Sequence, residues 1–348
     1  MHGDVIEGKW IDCFTKAFEL CKVCEGEVAA IVSETQSRPV LVKLAELALL
    51  RLEAQAFHIV IPTPPVSAPV PVRSTGHCVA IRQNPAIIKA LTTATFVADL
   101  TIEGLLHSIE RPEILASGTR VFMISNEHPE SLERLMPDPA LKPKVLKGVA
   151  MAKQARKMRV TSAAGTDLHI DMEGANVGGG CGISDEKGQI DYWPGGLCAF
   201  YPRPGGVTGT VVMGAGDLNL TFKRYLSDPV HMCIERDCIT EIHGPGMDAD
   251  LMKSYFAAWQ DPNAYYTSHL GWGMNPRARW DTMIMFDRND TNGTEQRAFA
   301  GNFLFSTGSN RFANRFTEAH FDLPMRNCTI ELDGRIVVDR GNLIPELQ

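Results

Sequence analysis

Residues 27–33 read EVAAIVS, an almost unbroken apolar run that predicts a buried β-strand. Residues 39–56 are mostly apolar and have a proline near their start, which is typical of a helix with proline in its first turn. Residues 57–61, FHIVI, predict a second strand. A strand, a helix and a strand in this order form a unit whose two strands run parallel. The stretch therefore predicts a parallel sheet with helices on its faces.

The same alternation continues on both sides of this unit. The sequence predicts helices at residues 10–24, 84–94, 112–117, 126–136 and 141–158, and strands at 95–100 and 120–125. The proline-rich residues 61–72 predict a long surface loop, because proline cannot complete the hydrogen bonds of a central strand. We therefore expect residues 1–158 to form an α/β domain with a mostly parallel sheet.

The pattern changes after residue 158. Residues 168–172 alternate with period two, and glycine and proline become frequent, as at 178–182 and 194–196. Short strands such as 208–213 and 327–332 lie between turns, and the clearest helix covers 249–259. Residues 159–348 are therefore predicted to form an α+β domain dominated by antiparallel strands.

Composition limits the classes of function. The chain has 348 residues, a formal net charge of -7 and no long basic run, which argues against a nucleic-acid partner. It contains no apolar stretch of about 18 to 20 residues and no signal-peptide pattern, so we expect a cytoplasmic protein without a membrane span. Nine cysteines include one CxxC, Cys21 to Cys24, but no second CxxC to complete a zinc site, so packing is the expected role of these thiols.

The triplet His-x-Asp occurs three times, at His2, His169 and His320. On a strand this spacing places both side chains on one face, as two ligands of one metal require. The first copy lies near the terminus, where the chain is expected to fray. His169 and Asp171 lie in an alternating strand, with His231 or His243 as possible third ligands, although a solvent-facing pair is the ordinary interpretation.

The third copy can be joined by His269, which lies in a glycine-rich segment where the backbone can approach a ligand closely. His269, His320 and Asp322 would form a two-histidine, one-carboxylate site that leaves three metal positions open, an arrangement typical of non-haem Fe(II) oxygenases. Spacing alone leaves the choice between the second and third copies open.

Several longer motifs resemble one family. They are SHLGWG at 268–273, DRND at 287–290, RAFAGNFLFSTG at 297–308 and HFDLPMRNC at 320–328, with LLHS at 105–108, SGTR at 117–120 and WP at 193–194. Together they resemble the 2,5-dihydroxypyridine 5,6-dioxygenases of bacterial nicotinate and picolinate degradation. The resemblance implies an aminopeptidase T-like fold, a mononuclear Fe(II) held by His269, His320 and Asp322, and opening of the ring with O2 to N-formylmaleamate.

The resemblance also implies roles for residues around the metal. His107 would act as acid and base over the substrate, and Arg297 and Ser306 would hold it. Where a member of the family has histidine, this chain has Tyr192, so a phenol would supply that contact. Enzymes of this size commonly form closed homo-oligomers, which we expect here as well.

Other interpretations remain open from the sequence. A metal-dependent hydrolase of the aminopeptidase type would need further Glu and His ligands, but Trp272 stands where a Glu would follow and residues 305–309 lack a His. A non-catalytic small-molecule binding protein is a second alternative. Arg297 could form a surface ion pair with Glu295, Ser306 could be a turn residue, and His107 could be a packed histidine near Pro112.

Overall fold

The computed structural model describes residues 5–65 and 77–348. Its strands are β1 (Val28–Glu34), β2 (Gln55–Ile61), β3 (Phe96–Leu100), β4 (Arg120–Ile124), β5 (Lys157–Thr161), β6 (Asp167–Asp171), β7 (Asn176–Gly180), β8 (Ile190–Trp193), β9 (Leu197–Tyr201), β10 (Val207–Met213), β11 (Leu218–Asn219), β12 (Arg224–Tyr225), β13 (Val230–Glu235), β14 (Cys238–His243), β15 (Thr267–Gly273), β16 (Phe303–Asn310), β17 (Arg315–Met325), β18 (Thr329–Leu332), β19 (Arg335–Asp339) and β20 (Asn342–Leu343). Its α-helices are α1 (Gly8–Leu20), α2 (Pro39–Arg51), α3 (Pro85–Thr93), α4 (Arg111–Ala116), α5 (Pro129–Arg134), α6 (Leu141–Gln154), α7 (Met247–Trp259) and α8 (Thr294–Ala298). Short 3-10 helices lie at Pro262–Tyr265, Asp281–Ile284, Arg288–Asp290, Arg311–Ala313 and Pro345–Leu347.

The first half is built on a parallel sheet with the strand order β2-β1-β3-β4-β8. Strand β1 is buried on both faces because helices cover both. Ala29 and Ile31 pack in one core with α1 and α2, whereas Ala30 and Val32 pack in a second core with α3. The period of two along β1 thus divides its side chains between two layers of helices.

The fifth strand of this sheet comes from later in the chain. Strand β8 pairs parallel with β4, with Val121 opposite Ile190 and Ile124 opposite Trp193. Trp193 is fully buried in the core of α1 and α2, and its indole Nε1 donates to the Leu135 carbonyl at 2.8 Å. The chain therefore returns to the first sheet after it has formed β5, β6 and β7, which belong to other sheets.

The remaining strands form antiparallel sheets. One has the order β14-β13-β10-β6-β5-β18-β19-β20 and another the order β17-β16-β15-β9-β7, with a small pair β11-β12. The two larger sheets share one core, in which Val160 and Ile330 of the first lie with Phe305 and Phe321 of the second. Helices α6 and α7 contribute to the same core. This architecture confirms the predicted α/β part with a parallel sheet and the predicted antiparallel part.

Several boundaries differ from the prediction. The helix predicted at 126–136 is limited to Pro129–Arg134, and the helix predicted at 141–158 ends at Gln154, after which β5 begins. Of the loop predicted at 61–72, residues 66–72 lie outside the described part of the chain. The domain boundary at residue 158 stays a prediction. Among the described residues, no helix combines the length and apolarity needed to span a bilayer.

Candidate metal centre

Three side chains from neighbouring strands meet at one point of the β17-β16-β15 sheet. His320 and Asp322 are two residues apart on β17, so both project from the same face, and His320 Nε2 lies 3.3 Å from Asp322 Oδ1. His269 Nε2 on β15 lies 3.5 Å from the same oxygen. All three residues are buried, with exposed fractions of 7% or less. The structure therefore brings together the three ligands predicted from the sequence.

The strands approach closely enough only because a glycine lies opposite one ligand. Gly308 on β16 pairs with His320 and has a φ of +109°. A Cβ atom added there would lie 2.0 Å from the Ala319 carbonyl oxygen. Any other residue would push β16 away from β17, so Gly308 is required for the position of His320.

Hydrogen bonds orient both imidazoles. His320 Nδ1 lies 2.8 Å from the Thr307 carbonyl oxygen, which can only accept, so Nδ1 carries a proton and Nε2 is the nitrogen turned towards Asp322. The Ser306 hydroxyl donates to Asp322 Oδ1, so its oxygen is able to accept from His269 Nδ1 at 3.3 Å. Both imidazoles are thus held through Nδ1, with Nε2 beside the Asp322 carboxylate, as in metal sites whose ligands are oriented by surrounding groups.

The charges of the site are fixed by burial and by one arginine. Arg297 Nε donates to Asp322 Oδ2 at 2.6 Å. Burial raises the pKa of Asp322, but His320 and Arg297 outweigh it and hold that pKa well below its ordinary value, so the carboxyl group is ionised. Burial lowers the pKa of His269 to about 4, which keeps this imidazole neutral. The site thus offers the neutral imidazole of His269 and one anionic oxygen.

This donor set fits a divalent metal ion. Metal bonds of about 2.1 Å at angles between 90° and 109° place donor atoms about 3.0 to 3.4 Å apart. The separation of 3.3 Å between Asp322 Oδ1 and His320 Nε2 falls within that range, and the 3.5 Å to His269 Nε2 lies just above it. Two histidines and one carboxylate on one side leave the opposite positions open to a cavity.

A third histidine lies over this open side. The His107 ring is centred 5.9 Å from that of His269 and 5.6 Å from that of His320. The ligand nitrogens of these three histidines lie within 4.8 Å of one another. His107 could therefore be either a group above the metal or a ligand in place of Asp322. Burial lowers its pKa well below the usual value.

The loop that carries His107 is held by a buried carboxylate at the end of β3. Asp99 Oδ2 accepts from the Leu105 backbone N–H at 2.7 Å, and Oδ1 accepts from that of Thr101 at 3.0 Å. Asp99 is fully buried, and burial raises its pKa to about 6. His107 Nδ1 lies 3.3 Å from the Tyr201 hydroxyl, a contact that no sequence pattern indicates.

A cavity extends from the metal centre and is lined by both halves of the chain. Leu106, Met123 and Asn126 come from the first half, and Arg297 and Asn292 from the second. His107 and the three predicted metal ligands thus line one cavity, although His107 comes from the first half of the chain and the ligands from the second.

Tyr192 also lines the cavity. Its ring packs over Gly180, where an added Cβ would lie 2.3 Å from the phenol carbon Cζ. Burial raises its pKa well above the usual value, so the phenol stays protonated and can donate a hydrogen bond.

The other predicted residues have distinct surroundings. Arg297 does not pair with Glu295, which instead binds Arg134 at 2.8 Å, whereas Arg297 contacts Asp322 and Asn292. The Ser306 hydroxyl is fully buried against Asp322 and His269, two of the predicted ligands. This placement suits a residue that orients the ligands as well as one that touches substrate.

The rival His-x-Asp lies on the surface. His169 is largely exposed and lies 3.2 Å from Asp167, and Asp171 accepts from Arg203 Nε at 2.9 Å. Leu168 and Ile170 point to the core, so this strand has the ordinary pattern of one buried and one solvated face. All nine cysteines lie in the described part of the chain as free thiols.

Comparison with known proteins gives matches along the whole chain. A family model described as 2,5-dihydroxypyridine 5,6-dioxygenase matches residues 9–345. A protein of that description from Pseudomonas putida (strain KT2440) is 37% identical over 335 residues, which are 95% of each chain. A solved structure of a 2,5-dihydroxypyridine dioxygenase from Pseudomonas putida KT2440 superposes with a TM-score of 0.93 at 35% identity, over 99% of this chain and 100% of that one.

A more distant match concerns the fold alone. The structure of AmpT from Thermus thermophilus superposes with a TM-score of 0.65 at 12% identity, over 97% of this chain and 99% of that one. The expected aminopeptidase T-like fold is thereby confirmed.

Proposed function

Because this chain belongs to the family of 2,5-dihydroxypyridine 5,6-dioxygenases, we propose that it opens the ring of 2,5-dihydroxypyridine with O2, using one Fe(II) held by His269, His320 and Asp322. The observation that carries the proposal is the donor set of two oriented imidazoles and one ionised carboxylate at the wall of a cavity. The proposed product is N-formylmaleamate. Both oxygen atoms of O2 enter this product, so the reaction needs no external reductant.

The charges around the metal centre favour an anionic substrate. Bound Fe(II) would supply open positions for substrate and O2 and the electron density that lets them react. The Asp322 and Arg297 charges cancel each other, and the imidazole of His269 is neutral. A divalent ion therefore leaves the site with a positive excess, which lowers the pKa of a ring hydroxyl bound there.

His107 is the group we assign to the hydroxyl proton. Its ring lies over the open side of the metal centre, and its pKa is lowered by burial, so it enters the reaction as a neutral base. Tyr201 fixes the ring through Nδ1, which leaves Nε2 to face the substrate. The same nitrogen would return the proton when the opened ring leaves.

Arg297 and Tyr192 are assigned to the substrate ring. The Arg297 guanidinium lines the cavity while its Nε holds Asp322, so its outer nitrogens can pair with the anionic oxygen of the substrate. Tyr192 would donate its O–H to a ring substituent. Ser306 would act by holding Asp322 and His269 in place, which fixes the metal against the ring.

Replacing Tyr192 with phenylalanine removes only the phenol oxygen. We expect KM for 2,5-dihydroxypyridine to rise about tenfold, the cost of one hydrogen bond of about 1.4 kcal/mol, with metal content unchanged. Steady-state kinetics and metal analysis check this result. Tyr225→Phe, on β12 and outside the cavity, is the matched control. An unchanged KM would remove Tyr192 from the substrate contacts.

Replacing Asp99 with asparagine introduces a donor amide against the backbone N–H groups of Thr101 and Leu105. We expect the loop carrying His107 to shift, so that kcat falls about tenfold or more while metal affinity stays near that of the unsubstituted protein. The exposed Asp12→Asn variant should leave both quantities unchanged. Loss of metal with retained kcat per bound metal would contradict this role.

One experiment tests the proposed function as a whole. The protein is purified anaerobically, loaded with one equivalent of Fe(II) and mixed with 2,5-dihydroxypyridine before air is admitted. We expect one O2 to be consumed for each pyridine lost, and N-formylmaleamate to appear. If O2 is not consumed, and zinc-loaded protein instead cleaves peptides, the hydrolase alternative replaces the proposal. Ligand binding without turnover under either condition would indicate a binding protein.

We also propose that the enzyme works in the cytoplasm as a homo-oligomer. Size-exclusion chromatography with light scattering measures the assembly, and a monomeric mass across concentrations would reject it.

A further inference from the structure

We propose that Glu127, a residue from the first half of the chain, is a positioning residue that sets Arg297 against the metal ligand Asp322. This inference rests on the proposed metal centre. The Glu127 carboxylate is not among the groups that line the cavity. It acts through the backbone of residues 292–294, which precede Arg297.

The Glu127 carboxylate binds the start of α8 from outside. Oε2 accepts from the Asn292 N–H at 3.2 Å, and Oε1 accepts from the Gly293 and Thr294 N–H groups at 3.0 and 2.9 Å. Glu127 is 2% exposed, so these bonds are shielded from water. The first N–H groups of a helix have no intrahelical partners and are usually capped by a side chain close by in the sequence. Here Glu127, which is distant in the sequence, caps them instead.

The conformation of the segment suits this contact. Gly293 has a φ of +91°, which lets consecutive N–H groups converge on one carboxylate. The Thr294 hydroxyl adds a bond to Ser125 Oγ at 2.8 Å. Glu127 and Ser125 both follow the end of β4, so the parallel sheet fixes the place where α8 begins.

Arg297 lies within one helical turn of these bonds. Its N–H donates to the Gly293 carbonyl at 3.2 Å, and its Nη1 lies 3.2 Å from Asn292 Oδ1. Glu127 therefore binds the same backbone segment that holds the Arg297 side chain in place. With its Nε the same guanidinium donates to Asp322.

A helix of five residues cannot hold such a position by itself. Isolated helices of this length are unstable, because nucleation is costly and few internal hydrogen bonds form. Two further ion pairs tie the same segment to the first half, Arg38 with Asp290 at 2.9 Å and Arg134 with Glu295 at 2.8 Å. Among these contacts, Glu127 is the one that binds the backbone of the turn that carries Arg297.

A double-mutant cycle on metal affinity tests the inference. Glu127→Gln keeps the size of the side chain but replaces one acceptor oxygen with a donor amide, and Arg297→Gln removes the group that holds Asp322. Fe(II) affinity of the metal-free protein is measured anaerobically by equilibrium dialysis, without substrate. We expect R297Q to weaken binding about 10- to 100-fold, as loss of a group that orients a ligand does. E127Q acts one contact further from the ligand, so we expect it to weaken binding less, by about fivefold.

The double variant decides the matter. If Glu127 acts through Arg297, E127Q with R297Q binds Fe(II) as weakly as R297Q alone, because the second change has nothing left to displace. Losses that multiply, or an E127Q variant with unchanged affinity, would overturn the inference. Glu130→Gln, at an exposed position on α5, is the matched control and should behave like the unsubstituted protein.

Two further arms keep the result interpretable. If E127Q does not fold, as judged by circular dichroism, Glu127→Asp keeps the charge but shortens the reach, and it enters the same cycle with the same expected and contrary outcomes. The metal titration needs no turnover, so it tests this inference independently of the proposed function. A protein that binds Fe(II) but does not consume O2 with 2,5-dihydroxypyridine would contradict the proposed function only.

Discussion

Replacing Asp322 with alanine is expected to abolish metal retention and, with it, all turnover. Asp322 is the ionised donor of the proposed centre, and its Oδ1 lies within 3.5 Å of both Nε2 atoms. Groups that only orient a metal ligand are worth about 10- to 100-fold in affinity, so loss of a ligand should cost more than about 100-fold. Metal content after dialysis and anaerobic Fe(II) titration measure the effect.

The substitution also removes the partner of two buried groups. Arg297 Nε and the Ser306 hydroxyl both donate to the Asp322 carboxylate, and alanine would leave them without it. We therefore expect a lower melting temperature as well. Asp322→Asn keeps the size of the side chain but not its charge. Relative to Asp322→Ala, it should recover more of the melting temperature than of the metal binding, which separates the two effects.

The matched control for Asp322 is Asp171, the acid of the other His-x-Asp strand. Asp171→Ala loses a surface contact with Arg203 and should retain metal and turnover in full. If Asp171→Ala lost the metal and Asp322→Ala kept it, the proposed centre would have to move to the surface strand.

Replacing His107 with alanine is expected to reduce kcat by about 10²- to 10⁴-fold, the usual contribution of a general acid or base, while the protein keeps its metal. The His107 ring lies over the open side of the centre, and its loop is anchored separately by Asp99. The variant should therefore bind Fe(II) with nearly unchanged affinity. Single-turnover kinetics on metal-loaded protein measure the loss.

This variant also distinguishes two sets of metal ligands. The nitrogens of His107, His269 and His320 lie close enough to form a three-histidine site, in which Asp322 would only hold the surroundings. In that case His107→Ala would lose the metal and Asp322→Ala would keep most of it. His169→Ala, at a largely exposed position on β6, is the control and should affect neither kcat nor metal content.

The alternation of apolar runs and helical stretches predicted the parallel sheet because each strand there is short, continuous and buried. β1, at Val28–Glu34, differs from its predicted bounds by one residue at each end. Predictions were less accurate where helices end, as at α5, because end positions depend on contacts with distant residues. The sequence did not predict that β8 pairs with β4, because nothing in residues 190–193 indicates which strand they join.

The candidate site shows the same division. The spacing in His320-x-Asp322 predicted two side chains on one face, and the geometry agrees with that prediction. The contact of Ser306 with Asp322 follows from the register of β16 against β17, which a single sequence does not determine. Tyr201 and Glu127 act across about 90 and about 165 residues of chain, so no local pattern could have indicated them.

Because β8 joins the parallel sheet from the second half of the chain, the two halves cannot be separated by cutting the chain at one point. A fragment ending at residue 158 would lack β8, exposing the open edge of β4 and leaving a hole in its core where the Trp193 ring belongs. Such an edge invites pairing with other chains, and the hole loosens the packing around α1 and α2. A fragment beginning at residue 159 would carry β8 with no sheet to join. Co-expression of both fragments should therefore succeed where either one alone aggregates, and the recovered complex should regain its metal centre.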